Sequence, residues 1–185
     1  MHKHWLSIFF LALSVMAVSL VGLAQIDVHM ASYLVQVDAQ TGKETLVVSD
    51  TAQPGDVIEY VVEATNTAQI EVEGLVLVGP VPAPTKLLPA WYQAVIDFLA
   101  GKTDAPVFCV ITPKGGDPQT ILMSTSKLPK FSLDNGETYS SPPVTYVVNG
   151  ERKQATSNMF THIRWTIDVL KPGDSVKISY RVVVP

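Results

Sequence analysis

The sequence predicts an all-β fold, an immunoglobulin-like antiparallel β-sandwich with one inserted short helix, preceded by an N-terminal signal helix. Three observations predict the sandwich. Nearly every apolar pattern in the chain has a period of two, which is the spacing of strands that bury one face. Thirteen prolines and eleven glycines separate these runs, and such residues mark the turns between short strands. The third observation is the C-terminal segment, in which two alternating runs flank one turn.

Residues 1–24 are typical of a secretory signal peptide. Lys3 precedes an apolar run over residues 6–23, and the run ends in the small-residue pattern of a cleavage site at residues 22–24. We expect a mature chain that begins at Gln25 and forms one domain over residues 25–185. The alternative is an uncleaved membrane anchor, because the run is just long enough to span a bilayer core. In both cases the domain is exported, to the periplasm, the cell surface or the extracellular space.

Strand patterns follow at short intervals along the mature chain. They occur at residues 26–37, 44–48, 57–65, 70–78, 107–112, 120–124, near 131, and at 144–148. In the third run the inner face is expected to hold Ile58, Tyr60, Val62 and Ala64. In the fourth, Gly74 indicates a bulge.

One segment has helical periodicity instead. Its apolar residues recur every three or four positions: Leu88, Trp91, Tyr92, Val95, Ile96 and Leu99. This spacing predicts a helix over residues 89–100, within an insertion at residues 86–106. The helix either caps an open end of the sandwich or docks a partner. For the second alternative we expect a partner surface made of the insertion, with Trp91, Tyr92 and Phe98, together with a sheet edge. Phe98 lies off the main stripe, so its exposure would indicate docking and its burial would indicate a cap.

The C-terminal residues 160–185 predict two strands joined by a turn at residues 171–174. Alternation assigns one inner face to the two strands: Ile163, Trp165, Ile167, Val169, Val176, Ile178, Tyr180, Val182 and Val184. We expect the strands to pair as a hairpin with Trp165 in the core. His162 and Arg164 are expected on a face that is open to water and stays free.

The tripeptide Pro-Gly-Asp occurs twice, each time before an alternating run that contains a tyrosine: Pro54-Gly55-Asp56 and Pro172-Gly173-Asp174. Proline fixes φ, glycine permits positive φ, and aspartate hydrogen-bonds the nearby backbone. We interpret both tripeptides as structural turns inside one domain, and we expect Gly173 at positive φ.

Residues 132–139 resemble an Asp-box, the hairpin motif S-x-D-x-G-x-T-aromatic of sialidases and many other β-proteins. Asp134 can bind the loop backbone, Gly136 permits positive φ, and Tyr139 is expected to anchor the returning strand in the core. The motif is interpreted as a structural turn. A carbohydrate contact or a calcium site is the alternative, although three neighbouring oxygen-bearing residues are too few for a calcium cage.

Composition limits the partners and the chemistry. The chain has 13 basic and 17 acidic residues and a formal net charge of −4, which predicts no nucleic-acid partner and no membrane contact except through an uncleaved N-terminal segment. Cys109 is the only cysteine, so we expect it to be buried and inert. The sequence lacks the motifs H-E-x-x-H and G-x-S-x-G and a phosphate-binding glycine loop. We therefore expect no enzyme, no cofactor and no metal.

Three stretches of the chain resemble the repeat domain of prokaryotic cell-surface proteins known as domain of unknown function eleven. Residues 50–67 contain a Pro-Gly-Asp turn, a strand with Tyr60 and the sequence Thr-Asn-Thr. Residues 76–82 contain a Pro-x-Pro strand exit, and residues 165–184 contain the second Pro-Gly-Asp turn. The resemblance implies an immunoglobulin-like sandwich in an envelope or extracellular protein, with no known catalytic role. The family commonly occurs as tandem copies, whereas this chain carries one copy with an insertion.

The sequence thus predicts a non-enzymatic structural or adhesion module that associates with other envelope proteins or with itself. One alternative is a fibre subunit that polymerises by strand addition, for which residues 26–37 would extend free of the body. Another is a periplasmic ligand-binding module, for which a pocket of ligand size would lie under the helix.

Overall fold

The computed structural model describes residues 26–104, 109–120 and 128–185, and in these residues the chain forms the predicted antiparallel β-sandwich. The strands are β1 (Ile26–Val37), β2 (Glu44–Val47), β3 (Val57–Asn66), β4 (Val72–Pro80), β5 (Lys86–Leu87), β6 (Cys109–Thr112), β7 (Gln119–Thr120), β8 (Lys130–Ser132), β9 (Thr145–Val148), β10 (Glu151–Gln154), β11 (His162–Leu170) and β12 (Ser175–Val183). Helix α1 spans Pro89–Leu99, and a short 3-10 helix spans Ser157–Met159.

Two predicted elements fall outside these residues. The signal segment lies there entirely, and so does most of the strand expected at residues 120–124. Within the described part of the chain, no helix has the length and apolar character needed to cross a bilayer.

Two sheets form the sandwich. The large sheet has seven strands in the order β2-β1-β3-β12-β6-β7, and β5 also pairs with β12. The small sheet has three strands in the order β4-β11-β8. Strands β9 and β10 form a separate two-stranded hairpin, the β9–β10 hairpin. Neighbouring strands are antiparallel throughout.

The core lies between the inner faces of the two sheets. In the large sheet, Val62 and Ala64 of β3 and the alternate residues of β12 from Val176 to Val182 are buried, as predicted. From the small sheet Trp165 is only 1% exposed, and its ring lies 5.8 Å from that of Tyr180 across the core. The predicted core position of Trp165 is therefore confirmed.

The predicted pairing of the two C-terminal strands is wrong. Trp165 of β11 pairs with Leu77 of β4 in the small sheet, whereas β12 lies between β3 and β6 in the large sheet. The turn at residues 171–174 therefore crosses from one sheet to the other. Alternation predicts which face of a strand is buried but does not identify its hydrogen-bond partner, so two consecutive strands with apolar faces fit opposite sheets equally well.

Both Pro-Gly-Asp turns form as predicted. Gly173 has φ +81° and donates its N–H to the carbonyl of Asn66 at 2.7 Å, so this turn is bonded to the end of β3. Asp174 accepts a hydrogen bond on its carboxylate from the N–H of Lys114 at 3.0 Å. In the other turn Gly55 has φ +94°, and its N–H donates to the carbonyl of Val184. Each turn thus joins distant parts of the chain.

The alternation of β11 breaks near its end. Val169, expected on the inner face, is 38% exposed, and Leu170 is buried instead. The register pairs Ile167 with Leu75 and Val169 with Glu73, and Gly74 between these two partners has φ +64°. The irregular backbone at Gly74 accounts for the shift in phase, since a positive φ interrupts a regular strand.

Candidate functional site

Helix α1 forms where the apolar spacing predicts it, and it packs into the sandwich. Trp91 and Tyr92 are 7% and 6% exposed. The Trp91 ring lies 6.5 Å from Trp165, the Tyr92 ring lies 4.7 Å from Phe160, and both contact Phe131. The Tyr92 hydroxyl accepts a hydrogen bond from the N–H of Val144 at 3.1 Å.

These contacts contradict the prediction that Trp91 and Tyr92 belong to a partner surface. Both lie on the apolar stripe of α1, and a stripe of this width buries itself against its own domain. Phe98 is half-buried, so it meets neither the criterion for docking nor the one for a cap. It is the one member of the predicted surface that keeps substantial contact with solvent.

Two grooves run alongside α1. One, of about 380 Å³, lies between α1 and the outer face of the large sheet, with Trp91, Ala94, Glu59 and Arg181 in its lining. The other, of about 390 Å³, lies between α1 and residues 154–157. Both volumes fall in the range of small-molecule sites, about 300–1,000 Å³.

The cation in the first groove is already paired. The Arg181 guanidinium donates to Glu59 at 2.9 Å and to both carboxylate oxygens of Glu44 at 3.1 and 2.8 Å. Its hydrogen bonds lower the pKa of Glu44. This pairing ties β2 to β12, so the role that the geometry gives Arg181 is to hold the β1–β2 end of the sheet in place.

The Asp-box resemblance corresponds to a self-contained hairpin. Asp134 accepts on Oδ1 from the Ser132 hydroxyl at 2.7 Å and the Thr138 N–H at 2.9 Å, and on Oδ2 from the Thr138 hydroxyl at 2.5 Å. Asn135 and Gly136 have φ +56° and +88°, the positive values expected for this turn. Hydrogen bonds from Thr138 and Ser132 lower the pKa of Asp134 to about 2. Asp134 and Gly136 thus have the structural role predicted for them.

The prediction that His162 and Arg164 lie on a free face is wrong, because the residue 132–139 hairpin covers them. Both residues are half-buried. The Arg164 guanidinium stacks on the ring of Tyr139, 4.3 Å from its centroid, so Tyr139 covers this face and is not an anchor in the core. His162 lies against Gly136, and its buried Nδ1 has no hydrogen-bond partner among the described residues.

Cys109 is buried, as predicted, with 1% of its surface exposed. Burial raises the pKa of its thiol to about 11, so the reactive thiolate is scarce at neutral pH. In the described part of the chain, no group of three or more His, Cys, Asp or Glu side chains is placed to hold a metal ion.

The surface carries many large apolar side chains that the sequence did not identify. Among the described residues, those with exposed side chains are Val28, Met30, Val37, Leu46, Val47, Val48, Ile70, Val76, Val78, Val147, Val148 and Val169. They concentrate on β1, β2, β4 and β9, whose strands lie at or next to sheet edges or in the β9–β10 hairpin. The strands that carry these exposed residues alternate in the sequence in the same way as buried strands do. The local sequence therefore does not distinguish these residues from core residues.

The fold and this surface define an antiparallel β-sandwich with exposed apolar strand edges. No protein-family model matches the chain, and no curated protein matches its sequence significantly. The resemblance to the cell-surface repeat domain stays a prediction that depends on the residues quoted for it.

Proposed function

We propose that the chain is an exported, non-enzymatic module of the cell envelope or extracellular space, structural or adhesive, which acts by associating with other proteins or with itself. The observation that carries this proposal is the exposure of large apolar side chains on β1, β2, β4 and β9, including Val147 at 67% and Val37 at 60%. Val76 and Val78 are neighbours on one face of β4, and adjacent exposed apolar side chains of this kind are typical of association surfaces.

Two further features support the proposal. The apolar run at residues 6–23 favours export. The resemblance to the cell-surface repeat agrees with an envelope or extracellular location and with a module that has no catalytic role.

The test is to follow the full chain in cells by fractionation and by sedimentation of the gently extracted protein. We expect it outside the cytoplasm and in complexes larger than a monomer. The control is a variant that lacks residues 1–24, which is expected to stay in the cytoplasm. A full chain that stays in the cytoplasm, or that is monomeric at every concentration, contradicts the proposal.

The groove lined by Trp91 and Arg181 supports a second candidate, a ligand-binding module. A ligand in this groove is expected to change the fluorescence of the protein, and the change should be smaller in a Trp91→Phe variant. If the fluorescence does not change with any of a set of small sugars, peptides and amino acids, the ligand-binding candidate is contradicted.

The fibre alternative requires residues 26–37 to extend free of the body of the domain. Strand β1 pairs with β3 from Ile26 to Leu34, so by that criterion it is an ordinary first strand and not a free donor. A fibre therefore needs a different donor segment.

A further inference from the structure

The large sheet of the sandwich extends beyond the small one. Strand β4 forms one edge of the small sheet and contacts β3 of the large sheet. The next strand of the large sheet is β1, and among the described strands none continues the small sheet past β4 to lie opposite it. The inner face of β1 is therefore left uncovered.

Two side chains show this uncovered face. Val28 and Met30 pair with Ala64 and Val62 of β3, and directly paired residues project to the same side of a sheet. Ala64 and Val62 are 0% and 4% exposed, whereas Val28 and Met30 are 51% and 46% exposed. The difference within each pair arises because the core face of β3 is covered and that of β1 is not.

The edge beside this face is open to strand addition. Strand β4 has nine residues and pairs only with β11 among the described strands. Its central sequence, Leu75 to Val78, contains no lysine, proline or inward charge of the kind that protects natural edges. A strand added there would lie about 4.8 Å from β4 and about 10 Å from the large sheet, so it would cover Val28 and Met30. We call β4 with Val28 and Met30 the acceptor edge.

The acceptor edge lies in an acidic part of the chain. In residues 26–80 the acidic side chains are Asp27, Asp38, Glu44, Asp50, Asp56, Glu59, Glu63, Glu71 and Glu73, and Lys43 is the only lysine or arginine. Glu59 faces Arg181, and Glu63 faces Lys177, across the register of β3 and β12. Glu73 lies near the start of β4, and Glu71 directly precedes the strand. Its charge therefore favours a donor that combines apolar and basic side chains.

The β9–β10 hairpin has this combination. Val147 and Val148 of β9 are 67% and 37% exposed, and β10 carries Glu151, Arg152 and Lys153, all exposed. Lys153 lies 3.8 Å from Glu151 within the hairpin, which leaves Arg152 as the cation offered to a partner. Arg152 shares one face of the hairpin with Val147, and Val148 lies on the other face. The two strands pair only with each other among the described strands, so each keeps a free edge.

The hairpin is also preformed and suitably placed. Asn149 and Gly150 at its turn have φ +52° and +81°, the conformation that closes a tight two-residue hairpin. Ser140 bridges to Phe131 of β8, and β9 follows a few residues later, so the hairpin emerges on the β8 side of the small sheet. Strand β4 is the opposite edge of that sheet.

We propose that the β9–β10 hairpin of one copy of this chain adds to the acceptor edge of a second copy. Val148 of β9 then covers Val28 and Met30, while Val147 and Arg152, which share the other face of the hairpin, lie beside Val76 and Glu73 on the outer face. Donor and acceptor are different surfaces on opposite edges, so the contact is heterologous and repeats from copy to copy as a head-to-tail chain. The proposal rests on the proposed function, for which it names the partner and the contact.

Site-specific cross-linking tests the contact. The full chain is prepared as two separate variants, Val76→Cys on the acceptor edge and Val147→Cys on the hairpin, and each is treated with a short bismaleimide alone and as a mixture. Cys109 does not interfere, because it is buried. We expect covalent dimers in the mixture and none in either variant alone. As the matched control, Val48→Cys, which is 77% exposed on neither surface, should not link to Val147→Cys.

The outcomes separate this proposal from the proposed function. Val76→Cys dimers formed without the second variant would indicate symmetric pairing of β4 with β4 and would overturn the heterologous contact. Sedimentation as an oligomer without any cross-link at these positions would also overturn it, while leaving association as the function. A protein that is monomeric throughout contradicts both.

Charge exchange provides an independent measurement. Replacing Arg152 by Glu should reduce the assembled fraction several-fold at low salt, and replacing Glu73 by Lys in the same chain should restore it. Both side chains are exposed, so the fold should be unchanged in each variant. Failure of the second substitution to restore assembly contradicts the assigned contact.

Discussion

Trp165 is the largest fully buried side chain in the described part of the chain, and its contribution to stability comes from packing. Its ring faces Trp91 at 6.5 Å and Tyr180 at 5.8 Å, and its buried Nε1 finds no hydrogen-bond partner among the described residues. Trp165→Ala should therefore lower the free energy of unfolding by about 3–5 kcal/mol, as for a large core truncation. Urea denaturation measures this change. The exposed neighbour Thr166, replaced by Ala, should stay within about 0.5 kcal/mol of wild type, and an equal loss in the two variants would contradict the assigned core position.

Gly79 is required by a close approach across the core. A Cβ built at this position would lie 2.4 Å from Cε1 of Tyr180, whose hydroxyl is held by a hydrogen bond to the carbonyl of Pro80 at 2.6 Å. Because the ring is buried and fixed, Gly79→Ala should lower the free energy of unfolding by about 1–3 kcal/mol, as for an overpacked core. Val78→Ala, on the exposed side of the same strand, is the control in thermal denaturation. A melting temperature for Gly79→Ala equal to that of the control would show that Tyr180 can move aside.

The sequence predicted the burial of a core side chain correctly where that burial depends only on the alternation within its own strand. Trp165, Tyr180 and Val176 are inside because each shares a strand face with other apolar residues. Val169 was not predictable, because its exposure depends on the backbone of Gly74 in the neighbouring strand. The environments of His162 and Arg164 likewise depend on a hairpin that folds over them from a distant part of the sequence.

At the scale of single elements, the residue 132–139 hairpin makes the fold sensitive to acid. Asp134 has a pKa of about 2 in the folded chain against an ordinary value of 3.8. A carboxyl group whose pKa is lower in the folded state stabilises that state above its ordinary pKa, and this contribution is lost as the pH falls from about 4 towards 2. Asp134→Ala should therefore lose less stability than wild type over this pH interval. Melting temperatures measured across the interval check this, and parallel curves for the two proteins would contradict it.

Elements differ in how far their sequence determines them. The spacing of Trp91, Tyr92 and Val95 was enough to predict α1, and the Pro-Gly-Asp tripeptides were enough to predict both turns. The partner of each strand was not determined in the same way. Strands β11 and β12 are consecutive and have similar patterns, yet they lie in different sheets, and the turn between them at residues 171–174 is bonded to the end of β3.

For the whole molecule, the exposed surface follows from the unequal widths of the two sheets. The width of a sheet depends on how many strands pair side by side. The pattern of one strand therefore does not predict which apolar faces remain uncovered. Val28 and Met30 have the alternation of core residues and are exposed only because the small sheet ends at β4. The sequence suggested α1 as the partner surface because its aromatic residues were the visible signal, and two of the three proved to be core residues.

The surface assignment therefore leads to a comparison between two substitutions to lysine. Met30→Lys places a charge in the middle of the acceptor edge, and since Met30 is 46% exposed, the fold should be retained while the assembled fraction falls several-fold. Phe98→Lys changes the half-buried residue of α1, and we expect assembly to be unchanged if the contact is made by β4. Analytical ultracentrifugation over a concentration series measures assembly, and circular dichroism checks that each variant is folded. The reverse result, in which a folded Phe98→Lys variant is monomeric and Met30→Lys still assembles, would move the contact to α1 and restore the helix as the docking element.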